Sequence, residues 1–267
     1  IDIDASQVLD FFSSHPLTEE RVARFRQGQP APLPEPELLT GDDHSTPTMA
    51  ATPLYDHLTA GHYQQLHALF DEQHQAYWQG NRGAELYAYS GYEHLGTFTP
   101  QRLRQLEQWV AQMPASYVAH QALGTYHRNR AQLLDWNYYR DQMSTEMRER
   151  LDDHSSRAHD AFTTALKLRP DFTLGAAALY HLASENLSAA DANELLASAL
   201  SNHPDSYALR WYQLHYLHPD RGGSWCQMRR ALREIDNQSS ANPLLQLLAG
   251  ELYHAKAEQA LNVGDYP

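Results

Sequence analysis

Histidine and carboxylate spacing along the 267-residue chain offers three places where metal chemistry could be built. His67, Asp71 and His74 fall at i, i+4 and i+7, on one face of a helix and within reach of a shared divalent ion. His154 and His159 follow the acidic pair Asp152-Asp153. Glu251-x-x-His254 has the spacing of a di-metal carboxylate pair, but that centre needs a second Glu-x-x-His and two further glutamates, and the chain holds no second copy. The sixteen histidines are spread out rather than clustered, so a solvated or core-edge imidazole is the expected role of each. No metal and no other cofactor is expected.

Nucleophiles fare no better. Cys226 lies near Arg229 and Arg230, whose charges favour a thiolate, but a lone cysteine on a helix face is ordinarily packing. Ser224 follows Gly222-Gly223, and a tight glycine turn ending in a helix N-cap accounts for all three residues. A catalytic serine elbow needs a strand before its helix. Asp152 and Asp153 are adjacent and diverge on a helix, which suits them poorly to coupled acid–base work. No catalytic residue is assigned. A metal-dependent or carbohydrate-active enzyme on an all-α scaffold stays as the alternative reading.

The elements that must position these residues are helical. Tyr63, Leu66, Leu69, Phe70 and Tyr77 trace one face between Gly61 and Gly80, and a short helix ends near Gly96. Thr99-Pro100 starts another, with Leu103, Leu106, Trp109 and Val110 facing inward. Ahead of this body, residues 1–28 read as a short helical segment carrying Val8, Phe11 and Phe12. Residues 29–53 are rich in Pro, Ser and Thr and read as an extended linker. The body, 54–267, shows no alternating strands, so the fold class is all-α.

Net charge is −13, which argues against nucleic-acid binding and against an anionic membrane surface. Acidity either steers a basic partner or serves solubility. A single cysteine permits no intrachain disulfide, and no apolar run approaches a span of about 20 residues. The chain opens on Ile1 without a signal-peptide pattern, which fits a mature or trimmed product; the compartment, cytoplasmic or periplasmic in a bacterium, stays open.

Pro170 and Pro204 stand thirty-four residues apart and end similar phrases, AFTTALKLRP and LLASALSNHP. A helix must stop before proline, so the interval marks two stops one repeat apart. Ala158, Phe162, Ala165 and Pro170 match the small, aromatic, small and proline positions of the tetratricopeptide pattern, and Ala192, Leu196, Ala199 and Pro204 match with one conservative change. Leu123-Gly124 matches the pair in the preceding first helix, after the related stop at Pro114. The chain thus resembles a tetratricopeptide-like solenoid of helical hairpins. Gly124 and Ala158 are thirty-four residues apart where an ordinary repeat separates them by about a dozen, so one hairpin is expanded around Leu134–Asp153. That expansion, with Trp136, Tyr138 and Tyr139, is either a binding element or a lengthened hairpin.

Pro219, Gly222-Gly223-Ser224 and Met228, with the helix at 59–80 and the segment PASYVAHQALGTY at 114–126, resemble a bacterial family, the domain of unknown function 4034. Arg221 stands where that family has an aromatic residue. The similarity covers about 54–235 and implies a helical-repeat body without an assigned activity.

In such arrays the concave groove is lined by fixed positions of each first helix, here Gln121, Thr125 and Arg128, then His181 and Ser184, then Trp211, His215 and His218. The row could hold a peptide carboxylate or acidic loop. Alternatively, a C-terminal helix from Asn242 to Asn262 fills the groove. The expected function is protein–protein interaction, as an inhibitor or immunity-type protein or an adaptor. Its partner would be a protein, a toxin or secretion-system component being the candidates.

Overall fold

A computed structural model describes residues 48–97, 99–137, 143–186 and 189–262. Among them are eleven α-helices and two 3-10 turns, and no strand, as the aperiodic absence of β alternation predicts. No helix among these residues is long and apolar enough to cross a membrane. The segment 1–28 and most of the 29–53 linker lie outside the described residues. The last residues of that linker, Ala51 to Pro53, form the first turn of α1 (Ala51–Ala60), where proline's missing N–H has no intrahelical acceptor to lose.

The contacts divide the chain into two units, one of residues 48–212 and one that takes in 213–262. In the first, α2 (Tyr63–Trp78), α3 (Gly83–Leu95) and α4 (Pro100–Gln112) follow α1. Gly61 at φ 71° and Gly80 at φ 101° end α1 and the turn after α2, conformations that cost a side-chain-bearing residue about 1–2 kcal/mol. Thr99 caps α4 by accepting from the Arg102 amide, with Pro100 at the first position, as expected. Leu106 and Trp109 are fully buried beneath it.

Next come α5 (Tyr117–Asn137), α6 (Thr145–Leu168), α7 (Thr173–Asn186) and α8 (Ala189–Asn202), each packed on the next; α9 (Tyr207–Tyr216) supplies residues to both units. The α5–α6 pair is an antiparallel hairpin: Gly124 meets Phe162, His127 meets His154, and Leu134 clusters with Leu151. With 21 and 24 residues the two helices reach about 32 and 36 Å. Ala158 and Ala165 are fully buried, and the Phe162 ring packs with Ala178 and Leu182 of α7. Small side chains at these positions let α6 approach its neighbours closely, the role the repeat pattern assigns them.

In the second unit, Gly222 adopts φ 87° after a 3-10 turn at Pro219–Arg221, and Ser224 accepts from the Gln227 amide to cap α10 (Trp225–Asp236). A Cβ on Gly223 would stand 2.1 Å from the Leu217 carbonyl oxygen, so the second glycine serves close backbone approach. Asn242 to Asn262 is not one helix. A 3-10 segment at Pro243–Leu248 precedes α11 (Ala249–Asn262), because 3-10 geometry eclipses Leu245 and Leu248 and buries both on one side.

Candidate functional site

The expected groove row is brought together in part, and its α5 members are buried. Gln121, Thr125 and Arg128 of α5, His181 of α7 and Trp211 of α9 are all buried. Arg128 forms an ion pair with Glu93 of α3, and Asn129 donates to the same carboxylate at 3.1 Å. Burial disfavours the Arg128 guanidinium, yet the Glu93 charge outweighs it and the arginine is held above its ordinary range. Tyr212 of α9 stacks on His181 with ring centres 4.4 Å apart, and its hydroxyl lies 3.3 Å from that of Tyr89 on α3. The space left among Tyr89, Glu93, Gln121, Thr125, Arg128 and Tyr212 is about 10 Å³, room for one water and not for a peptide.

Ser184 is half-buried and donates back to the Tyr180 carbonyl, and Trp211 meets Tyr212 edge-on. His215 and His218 belong to the second unit. There, burial lowers the His215 imidazole to about 3, and His218 caps the 3-10 turn by accepting from the Asp220 amide. Trp136 lies near the end of α5, and Tyr138 and Tyr139 fall outside the described residues.

A second assembly was not foreseen. Going along α2 into α3, successive side chains meet the starting ends of α5, α7 and α9. His67 Nδ1 lies 2.8 Å from Ser116 Oγ, which also caps α5 by accepting from the Ala119 amide. Asp71 accepts from the Tyr117 hydroxyl and from Arg169 Nη1, both at 2.7 Å, and Arg169 Nε reaches Asp171 at 3.2 Å. Burial works to raise the Asp71 carboxyl, and the Tyr117 hydrogen bond and Arg169 charge outweigh it, so it lies below the usual carboxylate range. His74, enclosed by Tyr92, Tyr117 and Phe172, is driven by burial down to about 3 and shares a hydrogen bond with the Tyr92 hydroxyl.

Farther on, Arg82 pairs with Asp205 at 2.7 Å and covers the Tyr77 ring. Glu85 is buried and accepts from Ser206 Oγ at 2.6 Å and the Tyr207 amide at 2.8 Å, so a carboxylate from α3 caps α9. Burial pushes it up to about 7 against those two hydrogen bonds. No motif flagged Glu85. The available signal was the repeated phrase at each helix start, PASY 114–117, PDFT 170–173 and PDSY 204–207, which shows three starts needing caps but not what supplies them.

No group of three His, Cys, Asp or Glu side chains among the described residues is placed to share a metal ion. His67, Asp71 and His74 do share a helix face, but each is committed to a different partner. His154 pairs with His127, Nδ1 to Nδ1 at 2.9 Å, so one neutral ring donates to the other; His159 is exposed beside Asp160. Glu251 and His254 lie on α11, and Cys226 is exposed. Ser116 has the His67 partner of a nucleophile, yet it is 3 % exposed and its oxygen is occupied as a cap.

The described part of the expanded segment lengthens the hairpin. Ala131, Leu134, Met143 and Leu151, with Met147, give the outer end of α5–α6 its own small apolar core. No curated protein and no solved structure matches this chain. A family model does match, over residues 51–186, which takes in the α1–α7 body and leaves the Gly222-Gly223-Ser224 turn outside. The chain belongs to that family, described as a domain of unknown function (DUF4034).

Proposed function

We propose that this protein is a protein-binding helical-repeat module whose hairpins stack in the tetratricopeptide manner, and that the outer end of α5–α6 engages the partner. The stacked-row reading is supported by the way α2 meets the starts of α5, α7 and α9 in order. The ten residues from His67 to Tyr77 rise about 15 Å, close to two interaxial spacings of 8–10 Å. The partner-binding reading is carried by one observation: the α5 groove positions Gln121, Thr125 and Arg128 are buried and leave only about 10 Å³ among them and their neighbours, while the hairpin beyond them keeps a dedicated core. An apolar core at that end of the hairpin can hold a binding surface in place there. Trp136, Tyr138 and Tyr139 are the residues proposed to contact the partner, since tryptophan and tyrosine dominate interface energetics. An inhibitor of, or adaptor for, another bacterial protein is the role this reading fits.

The test compares the wild-type chain with W136A/Y138A/Y139A as bait, each shown by circular dichroism to be folded, with the captured protein identified and its affinity remeasured pairwise. A purified partner that binds wild type and loses at least tenfold in affinity for the triple variant supports the reading. Equal affinity for both overturns it.

A further inference from the structure

Trp78, the last residue of α2, is 42 % exposed, one of two large apolar side chains so exposed among the described residues. Its ring is flanked by Tyr77, 5.4 Å away between ring centres, and by His203 at 5.1 Å. The indole is therefore flanked by two rings while much of its surface stays open to solvent. Elsewhere in the same unit the chain covers aromatic faces with its own guanidinium groups. Arg102 lies 3.9 Å over Tyr55, Arg82 4.6 Å over Tyr77 and Arg169 5.1 Å over Tyr117. Trp78 has the strongest ring quadrupole of the four and carries no such cation among the described residues.

The rim around it is acidic. Asp171 lines the same shallow depression as Trp78, whose about 10 Å³ leaves a side chain to lie across its mouth rather than inside it; Asp171 is 56 % exposed and engages Arg169 through only one oxygen. The two arginines near this rim, Arg82 and Arg169, are themselves paired, with Asp205 and with Asp71 and Asp171. Burial lowers the His203 imidazole below its ordinary range. The chain as a whole carries −13.

We infer that Trp78 and Asp171 form a receptor for an arginine or lysine side chain of a basic partner protein, the cation lying on the indole face and donating to the free Asp171 oxygen. The inference rests on the protein-binding reading above and adds a second contact surface with a stated chemistry. It needs none of the buried α5 positions, because both residues are already at the surface.

The experiment titrates the full chain with the capped peptide acetyl-Gly-Arg-Arg-Gly-amide, and with the same peptide carrying citrulline in place of arginine, following tryptophan emission and two-dimensional NMR shifts. The arginine peptide is expected to bind wild type, to bind Trp78→Leu about threefold to tenfold more weakly, and to lose a comparable factor with Asp171→Asn. Citrulline, which has the same shape without charge, is expected not to bind. Unchanged affinity in Trp78→Leu, or equal binding of the citrulline peptide, overturns the inference. Should Trp78→Leu lower the thermal midpoint, Asp171→Asn alone decides, and an unchanged affinity there is equally fatal. Hairpin-end variants leave this binding untouched, so its failure and that of the hairpin reading are separable.

Discussion

Replacing Gly124 with alanine isolates the contact on which the α5–α6 hairpin closes. In an exposed helix the change would stabilise by about 1 kcal/mol, since alanine is the better helix former. Here a Cβ would stand 2.5 Å from Cε1, 2.6 Å from Cδ1 and 3.1 Å from Cζ of Phe162. That ring is wholly buried against Ala158, Ala178 and Leu182 and has no solvent side toward which to move. Overpacking of this kind costs about 1–3 kcal/mol, and a clash with three atoms of a confined ring belongs at the upper end. The net expectation for Gly124→Ala is a loss of about 2 kcal/mol, equivalent to roughly 4–8 °C for a unit of this size. Urea unfolding followed by helical circular dichroism should show a lower midpoint at unchanged slope. Trimming the ring relieves the clash, so Gly124→Ala/Phe162→Leu should cost at least about 1 kcal/mol less than the two single changes summed. A Gly124→Ala protein as stable as wild type, or more stable, would refute the reasoning, because helix propensity alone predicts that result.

Two further expectations concern buried charge. His74 ionises near 6.5 when unfolded and at about 3 when folded, so the native state binds fewer protons below pH 6.5 and stability falls as pH drops toward 3. Glu85 runs the opposite way: its carboxyl is raised from 4.5 to about 7, so its contribution is whole below pH 4.5 and is lost as pH rises to 7, by roughly 3 kcal/mol. Thermal midpoints against pH should show His74→Phe flattening the decline below 6.5, and Glu85→Gln gaining on wild type between pH 4.5 and 7; parallel curves would contradict both. At the Arg128–Glu93 pair the arginine side chain is 4 % exposed and the glutamate 29 %. Glu93→Gln strands a buried guanidinium and should cost about 3–5 kcal/mol, whereas Arg128→Met leaves a carboxylate able to hydrate and should cost less. Denaturant midpoints in the reverse order would rule this out.

Local backbone chemistry was readable in the chain itself. The stops before Pro114, Pro170 and Pro204, the glycine ends at Gly61 and Gly80, and the caps at Thr99 and Ser224 depend on a residue and its near neighbours, and each expectation agrees with the structure. The same holds for Ala158, Phe162 and Ala165, because small and aromatic residues at helical spacing state which face must be buried. The single helix expected over 242–262 failed where burial of Leu245 and Leu248 outweighed helical continuity.

Which side chains meet across long sequence distances was decided only in three dimensions. Gln121, Thr125 and Arg128 do face a common interior, but the sequence did not reveal that Tyr89 and Glu93 of α3 and Tyr212 of α9 would close it. Glu85 reads as an ordinary helix-surface acid until α3 lies beside the start of α9, 121 residues away, where it becomes a buried cap. A helix pattern specifies a face and an end, through steric and hydrogen-bonding needs confined to a few neighbouring residues. The partner of that face is set by packing of the whole chain, and the charge state and exposure of each polar side chain follow from that packing.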